Sequence, residues 1–219
     1  MNADELCQEV IDIVDDPGYE DPAEILKRVN RSQRRIADLL FLPDLKDGFA
    51  SVNTTVGQME VDLPDTYHKG LYMARSGGVA LDIFMDVGSM SMVRGGVSLD
   101  VGTLAAVALK KASLIYQKVP AAQTAIELYF YRLPVDMAEG ESFFPDGAQG
   151  NEDFEWAIIH DTCEKIFSRI EDGMEGAKVN TSYHRDMFAE KISIVEDFCK
   201  QQGIAYPIRP STNLNWLGI

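Results

Sequence analysis

Residues 21–40 read DPAEILKRVNRSQRRIADLL, and this stretch has the pattern of an amphipathic helix. Asp21 is a preferred N-cap residue, and Pro22 follows at the first helical position, where its missing N–H is not needed. The apolar side chains recur at helical spacing as Ile25, Val29, Ile36 and Leu40. The stretch therefore predicts a helix over 22–40 with one apolar face and one basic face.

The chain on either side of this helix divides into helical ends and a centre with a different period. Apolar spacing predicts further helices over 4–14, 152–172 and 181–202. Between 49 and 132 the sequence has short segments rich in β-branched and aromatic residues, separated by glycine and proline turns. We therefore predict an α+β fold, a helical bundle formed by N- and C-terminal helices with a central β-rich insertion domain and an extended C-terminal arm. The predicted parts are the N-terminal helices in 1–45, the insertion in 46–135, the C-terminal helices in 136–203 and the arm in 204–219.

Two segments within these parts have unusual apolar content. Residues 87–102, VGSMSMVRGGVSLDVG, are rich in glycine and methionine and predict a mobile hairpin or loop. The last helix instead has apolar residues over nearly half of its circumference: Tyr183, Met187, Phe188, Ile192, Ile194, Val195, Phe198 and Cys199. One neighbouring helix does not cover so wide an arc, so we expect this helix to contact several elements or another subunit.

Composition excludes several classes of protein. The chain has 219 residues, of which 20 are basic and 35 are acidic, and its formal net charge is −15. A field of this sign repels phosphate backbones, so any site for nucleic acid must be local. Cys7, Cys163 and Cys199 are widely spaced and odd in number, which predicts reduced thiols in a cytosol-like compartment. No apolar run approaches the ~18 residues of a membrane span, so we expect a soluble protein without membrane contact.

The most concentrated charge feature is a basic stripe on the second helix. Its members are Lys27, Arg28, Arg31, Arg34 and Arg35. The stripe is compatible with a solvated helix face, with contact to an acidic protein surface, or with a lining that meets DNA phosphates. The first 24 residues carry nine acids and no base, so they are a candidate partner for the stripe within the chain or on the next copy.

Signatures of catalysis and of metal or cofactor binding are missing, so we predict no catalytic, cofactor or metal residues. The best candidate for a metal pair is His160 with Glu164, one helical turn apart, although a surface His–Glu pair beside a buried Cys163 explains the same spacing. His184 and Lys191 share a face of the last helix and, with Asp161 or Glu164 from the preceding helix, are candidates for a general-base site. A polar seam between packed subunits is the alternative.

The last sixteen residues, IAYPIRPSTNLNWLGI, predict an extended arm rather than a helix. Pro207 and Pro210 fix φ and each remove a backbone donor. Tyr206, Trp216 and Leu217 add apolar area on a segment too short to form its own core. The arm therefore either folds back on its own domain or docks on a partner.

Several segments, taken in order, resemble the head-to-tail adaptor (connector) proteins of tailed bacteriophages. The resemblance begins in AEILKRVNRSQRRIADLLFLPDL at 23–45, with Asn30, Gln33 and Ile36 on the second helix. It continues in TTVGQMEVDLPDTYHKGL at 54–71, AIELYFYRLPVDM at 125–137, and the two late helices, EWAIIHDTCEKIFSRIEDG at 155–173 and YHRDMFAEKISIVEDF at 183–198. Together these segments make up about two fifths of the chain, and their order carries the resemblance, since none is a catalytic motif.

The resemblance implies a structural, non-enzymatic role in the virion at the head-tail junction, after assembly in the host cytoplasm. It implies a dodecameric ring that connects the portal protein to a tail or nozzle protein and extends the channel through which DNA passes. It also implies that terminal segments dock on the portal. Two other functions remain open: a metal-dependent or general-base hydrolase using His160, Glu164 and His184, and an oligomeric nucleic-acid-binding protein using the basic stripe.

Overall fold

The computed structural model describes residues 1–138, 152–172 and 178–201 and has an α+β fold with helices from both ends of the chain. The described helices are α1 (Ala3–Val14), α2 (Pro22–Leu39), α3 (Val87–Arg94), α4 (Glu152–Ile170) and α5 (Val179–Gln201). The described strands are β1 (Gly48–Asn53), β2 (Glu60–Asp62), β3 (Tyr67–Ser76), β4 (Val79–Ala80), β5 (Asp82–Phe84), β6 (Ser98–Gly102), β7 (Ala106–Lys110), β8 (Ser113–Tyr116), β9 (Lys118–Pro120) and β10 (Ala125–Arg132). The predicted α+β class is confirmed. No described helix is long and apolar enough to cross a membrane.

Residues 1–44 and the described residues from 133 onward form one compact unit, here called the helical unit. Asn2 caps α1 through a reciprocal capping box with Glu5, and Asp21 caps α2 by accepting a hydrogen bond from the Ala23 amide. Within this unit α4 packs against α1, α2 and α5. Every residue from Ala157 to Glu164 is buried as a result, which makes α4 the central helix of the unit.

Two buried polar side chains of α2 hold the segment that follows the β strands. The Asn30 side chain donates to the carbonyl of Met137 at 3.0 Å and accepts from its amide at 2.8 Å. Gln33 donates to the carbonyl of Val135 at 2.9 Å. Buried backbone groups outside regular structure need such partners, and these amides provide them. These hydrogen bonds explain why Asn30 and Gln33, with polar amide side chains, lie on the buried face of α2.

Residues 45–132 form the second unit, here called the β unit. One four-stranded sheet has the antiparallel order β1-β10-β3-β4, and another has the order β2-β8-β7-β5, in which β5 and β7 are parallel. β6 and β9 form a separate parallel pair. Side chains of both four-stranded sheets share one core, which includes Leu128 and Phe130 from the first and Leu114 and Tyr116 from the second.

The prediction that residues 87–102 form a mobile hairpin or loop is wrong. Residues 87–94 form α3, because Asp86 accepts from the amide and hydroxyl of Ser89 at the N-terminus, and Gly95 ends the helix with φ 76°. Met90 is fully buried and anchors the helix in a small core, while 98–102 pairs as β6. The glycines of the segment hid this arrangement, and Met90 is its one buried side chain.

Candidate functional site

The basic stripe borders a groove of about 300 Å³ between α2 and α4. Its cationic lining residues are Arg28, Arg31 and Arg35 from α2 and Lys165 and Arg169 from α4. Among the described residues, Asp161 is the one acid that lines the groove, and the other lining side chains are Ser32, Thr162 and Ser168. The hydroxyls of Ser32 and Thr162 lie 2.9 Å apart and are buried. The groove is therefore a recess in which, over the part of the chain that the structure describes, five cationic side chains face one carboxylate.

Arg35 is a structural residue of this groove. Its guanidinium pairs with Asp161, lies 3.7 Å from a carboxylate oxygen of Glu164, and sits 5.0 Å above the ring of Phe188. Both carboxylates are buried, and Glu164 also accepts from Lys165 at 2.6 Å and from Arg185 at 3.1 Å. Burial raises the pKa of Glu164, but its bonds to Lys165 and Arg185 outweigh this and hold the pKa below its usual value.

The rest of the stripe divides into paired and unpaired cations. Lys27 pairs with Glu24, and Arg34 pairs with Asp136 at 2.7 Å. Neither Lys27 nor Arg34 lines the groove. Arg28 lies 5.3 Å over the Tyr19 ring, and its buried Nε has no hydrogen-bond partner among the described residues. Arg31 and Arg169 are exposed and make no ion pair with any described residue. The structure thus places three stripe residues in the groove, and two of these keep donors available.

An acidic cleft of about 440 Å³ lies between α1 and the start of α2. Asp4 and Asp21 line it together with Cys7, Gln8, Ile11, Pro22, Ala23 and Leu26. Gln8 donates to Asp12 at 2.7 Å, which places a further exposed carboxylate beside the cleft. We call Asp4, Asp12 and Asp21 the acidic face. The acids are evident in the sequence but the cavity is not, since a cavity arises only from the packing of two helices.

His160 and Glu164 do not form the surface pair that the sequence suggested. Both are buried, because α4 is covered by three other helices. The Nδ1 atoms of His160 and His184 lie 3.0 Å apart, and Phe167 stacks on His184 at 5.2 Å. Desolvation, together with the charges of His184 and Lys191, lowers the pKa of His160 to about 4, and burial also lowers the pKa of His184. The histidines are therefore neutral rings that join α4 to α5.

Lowering the pH should weaken the contact between His160 and His184. The unfolded His160 takes up a proton near its ordinary pKa of 6.5, whereas the folded ring resists protonation down to about 4. Unfolding free energy therefore falls between pH 6.5 and pH 4, by about 2 kcal/mol at pH 5 from His160 alone. Urea unfolding of the helical unit at about pH 7.5 and about pH 5 measures the loss.

His160→Gln keeps a hydrogen-bonding group without a titrating ring, so this variant should show less of the pH dependence. His68→Gln is the matched control, because His68 lies in the β unit. If the wild-type helical unit had the same free energy of unfolding at both pH values, His160 and His184 would not be a pair of neutral rings in the folded protein.

None of His160, Glu164 and His184, the residues of the hydrolase hypothesis, lines the groove or the acidic cleft. His160 and His184 contact each other. Glu164 is engaged with cations, and Lys191 donates to Asp153 at 2.7 Å. Over the described ranges, no group of three or more His, Cys, Asp or Glu side chains is arranged to hold a metal ion. Cys7, Cys163 and Cys199 are free and buried.

The predicted partner-binding arm, with Tyr206, Pro207, Pro210, Trp216 and Leu217, lies outside the described residues. The prediction missed Lys165 and Arg169, which complete the groove from α4. Their spacing of four residues places them on one helix face and was the available signal. This spacing indicates a basic groove only once α4 is known to pack beside the basic stripe of α2.

Comparison with known proteins agrees with the family to which the segments point. Residues 1–211 match the family model described as SU10 adaptor protein. None of the curated proteins compared with the chain matches it. The family match spans nearly the whole chain, including both the groove and the acidic cleft. The chain therefore belongs to the SU10 adaptor protein family, a family of structural adaptors of bacteriophages.

Proposed function

We propose that this protein forms a ring, a dodecamer, that connects the portal to the tail and extends the channel through which DNA passes. The observation that carries the proposal is the family match over residues 1–211, which makes the chain a structural component of the virion. A connector must bind its own copies, the portal above it and a tail or nozzle protein below it. Each of these contacts requires a surface that the isolated chain leaves exposed.

Exposed apolar side chains in both units support contacts with other proteins. On α5, Tyr183 is 56% exposed and Ile194 is 41% exposed, so part of the wide apolar arc stays uncovered within the chain. In the β unit, α3 and β6 leave Met92 90% exposed and Leu99 82% exposed. Large apolar side chains that a chain leaves exposed are available for contacts with other proteins. These side chains contribute little to the core, which favours a role in assembly.

We further propose that the C-terminal arm, residues 204–219, docks on the portal. The proposal rests on the sequence: Pro207 and Pro210 favour an extended path that reaches beyond the parent domain. Tyr206, Trp216 and Leu217 then provide the apolar area that a partner groove buries. Burial of an indole and a leucine contributes a few kcal/mol, from which the ordering of the arm subtracts a part.

Association with the purified portal protein tests the function. Native mass spectrometry of the mixture should show a ring of twelve adaptor copies on the portal, a stoichiometry that a hydrolase or a DNA-binding protein does not predict. Deleting residues 206–219 should leave a folded protein whose affinity for the portal is at least about tenfold lower, because roughly 1.4 kcal/mol of apolar burial is a factor of ten.

Asn213→Ala is the matched control within the arm, since it removes a polar side chain and leaves Trp216 and Leu217 in place. A truncated protein that binds the portal as well as the intact one, or that unfolds, would exclude the arm as a docking element. A wild-type protein that never associates with the portal would contradict the connector function itself.

A role as a nucleic-acid-binding protein predicts a different result. The groove cations would then contact phosphates, and DNA affinity would fall steeply with salt concentration. The net charge of −15 opposes such binding outside an enclosed channel. In the proposed ring, DNA meets the protein only as it passes through.

A further inference from the structure

The groove and the acidic face lie on opposite sides of α2. Residues advance by about 100° each around a helix, so Leu26, which lines the cleft, is about 140° from Arg31 and about 180° from Arg35. The cleft side is covered by α1, and the groove side is covered by α4. One helix therefore separates two cavities of opposite charge.

Neither charged surface is neutralised by the other within the chain. Among the described residues, no acid of the first 24 makes an ion pair with a groove cation, and the one ion pair that joins an acid of this segment to the stripe is Glu24 with Lys27, outside the groove. Arg31 and Arg169 remain without ion-pair partners in the described chain, and the buried Nε of Arg28 lacks an acceptor there. The groove therefore retains unused donors on a protein that is strongly acidic overall.

We propose that the groove of one copy receives the acidic face of the next copy. This inference rests on the proposed ring and identifies the interface that builds it. Two different, complementary patches on one subunit give a heterologous contact, which propagates head to tail and closes into a ring when the rotation between copies permits. Charge complementarity across such a contact also fixes the order and orientation of subunits.

A carboxylate of a protein partner fits this groove better than a DNA backbone. Its volume of about 300 Å³ admits a few side chains but not a run of backbone phosphates. The acidic face instead has separate carboxylates, those of Asp4 and Asp12 on α1 and that of Asp21 at the N-cap of α2. Guanidinium groups bind such carboxylates with directed hydrogen bonds.

Paired charge reversals test the contact. Arg31→Glu with Arg169→Glu reverses the groove at exposed positions that carry no internal ion pair. Asp4→Lys with Asp12→Lys reverses the acidic face on α1. Each double variant alone should self-associate at least about tenfold more weakly than the wild type, since both contacting surfaces then have the same sign.

Mixing the two variants should restore assembly, because every reversed groove then meets a reversed acidic face and every native groove meets a native one. Sedimentation velocity and native mass spectrometry, on the protein alone and with the portal present, measure the assemblies. Circular dichroism and urea unfolding check that each variant is folded. Lys27→Glu is the control, because Lys27 belongs to the stripe but not to the groove.

The outcomes separate this inference from the connector function. Normal assembly by both double variants would overturn the interface and leave the ring proposal intact. Loss of assembly in both double variants without rescue on mixing would also overturn the proposed interface. If the groove variant also retained less DNA than the wild type, nucleic acid would be the ligand of the groove. A wild-type protein that assembles neither alone nor with the portal would overturn both proposals.

Discussion

Replacing Phe130 with Ala is expected to lower the free energy of unfolding of the β unit by about 3–5 kcal/mol, the usual cost of removing a buried aromatic side chain. Phe130 is fully buried in the core shared by the two four-stranded sheets, and its ring packs edge-on against Tyr67 at 5.3 Å. Gly48 lies opposite on β1, where an added Cβ would come within 2.5 Å of the Phe130 carbonyl oxygen. Because β1 and β10 approach so closely here, neighbouring residues can move only a little into the cavity that the substitution leaves.

Phe49→Ala is the matched control for this substitution. Phe49 is the next residue on β1, it pairs with Tyr129, and it is 54% exposed. Its loss should cost about 1 kcal/mol or less, because the ring contributes a partly solvated contact with Tyr129 and no core volume. Urea unfolding followed by near-ultraviolet circular dichroism measures both variants. Similar values for the two would show that Phe130 does not hold the sheets together.

Replacing Arg35 with Glu is expected to destabilise the helical unit by roughly 3 kcal/mol or more. The substitution removes the cation that contacts Asp161 and Glu164 and puts a third carboxylate beside two that are 2% and 6% exposed. Lys165 remains near both, but it lies 4.0 Å from Asp161. Repulsion between buried like charges then adds to the loss of the pair and of the contact with Phe188.

Arg31→Glu is the control one turn earlier on the same basic stripe. Arg31 is exposed and makes no ion pair with a described residue, so its reversal should change the free energy of unfolding by about 0.5 kcal/mol or less. Thermal and urea unfolding of the two variants test the difference. If Arg35→Glu were as stable as Arg31→Glu, the carboxylates around Arg35 would be satisfied without it. The comparison also identifies the residue of the basic stripe at which a charge reversal can test assembly without destabilising the helical unit.

Much of the fold was predictable because it depends on local spacing. The predicted helices over 4–14, 22–40, 152–172 and 181–202 correspond to α1, α2, α4 and α5 within two residues at each end over the described ranges. Their apolar periods, caps and terminal turns all act over a few residues. The alternation typical of strands between 49 and 132 acts over similar distances, and most of that region is β structure.

The errors arose where one distant contact outweighed local composition. Residues 87–102 have the composition of a loop, yet Met90 inserts into a core formed with Phe84 and Ala106. On α4 the sequence shows one apolar stripe, and a helix with one stripe should expose His160, Asp161 and Glu164. All three are buried, because α1, α2 and α5 surround α4 from different directions.

The sequence by itself determined the α+β class, the positions of the long helices, the strongly acidic charge and the family to which the segments point. Only the tertiary structure decided which basic side chains are structural and which remain available. Arg31 and Arg35 look equivalent in the sequence, but α4 places Asp161 and Glu164 against one and not the other. The physical reason is that periodicity fixes which face of a helix is apolar, whereas ion pairs and cavities depend on atoms that packing brings together from distant parts of the chain.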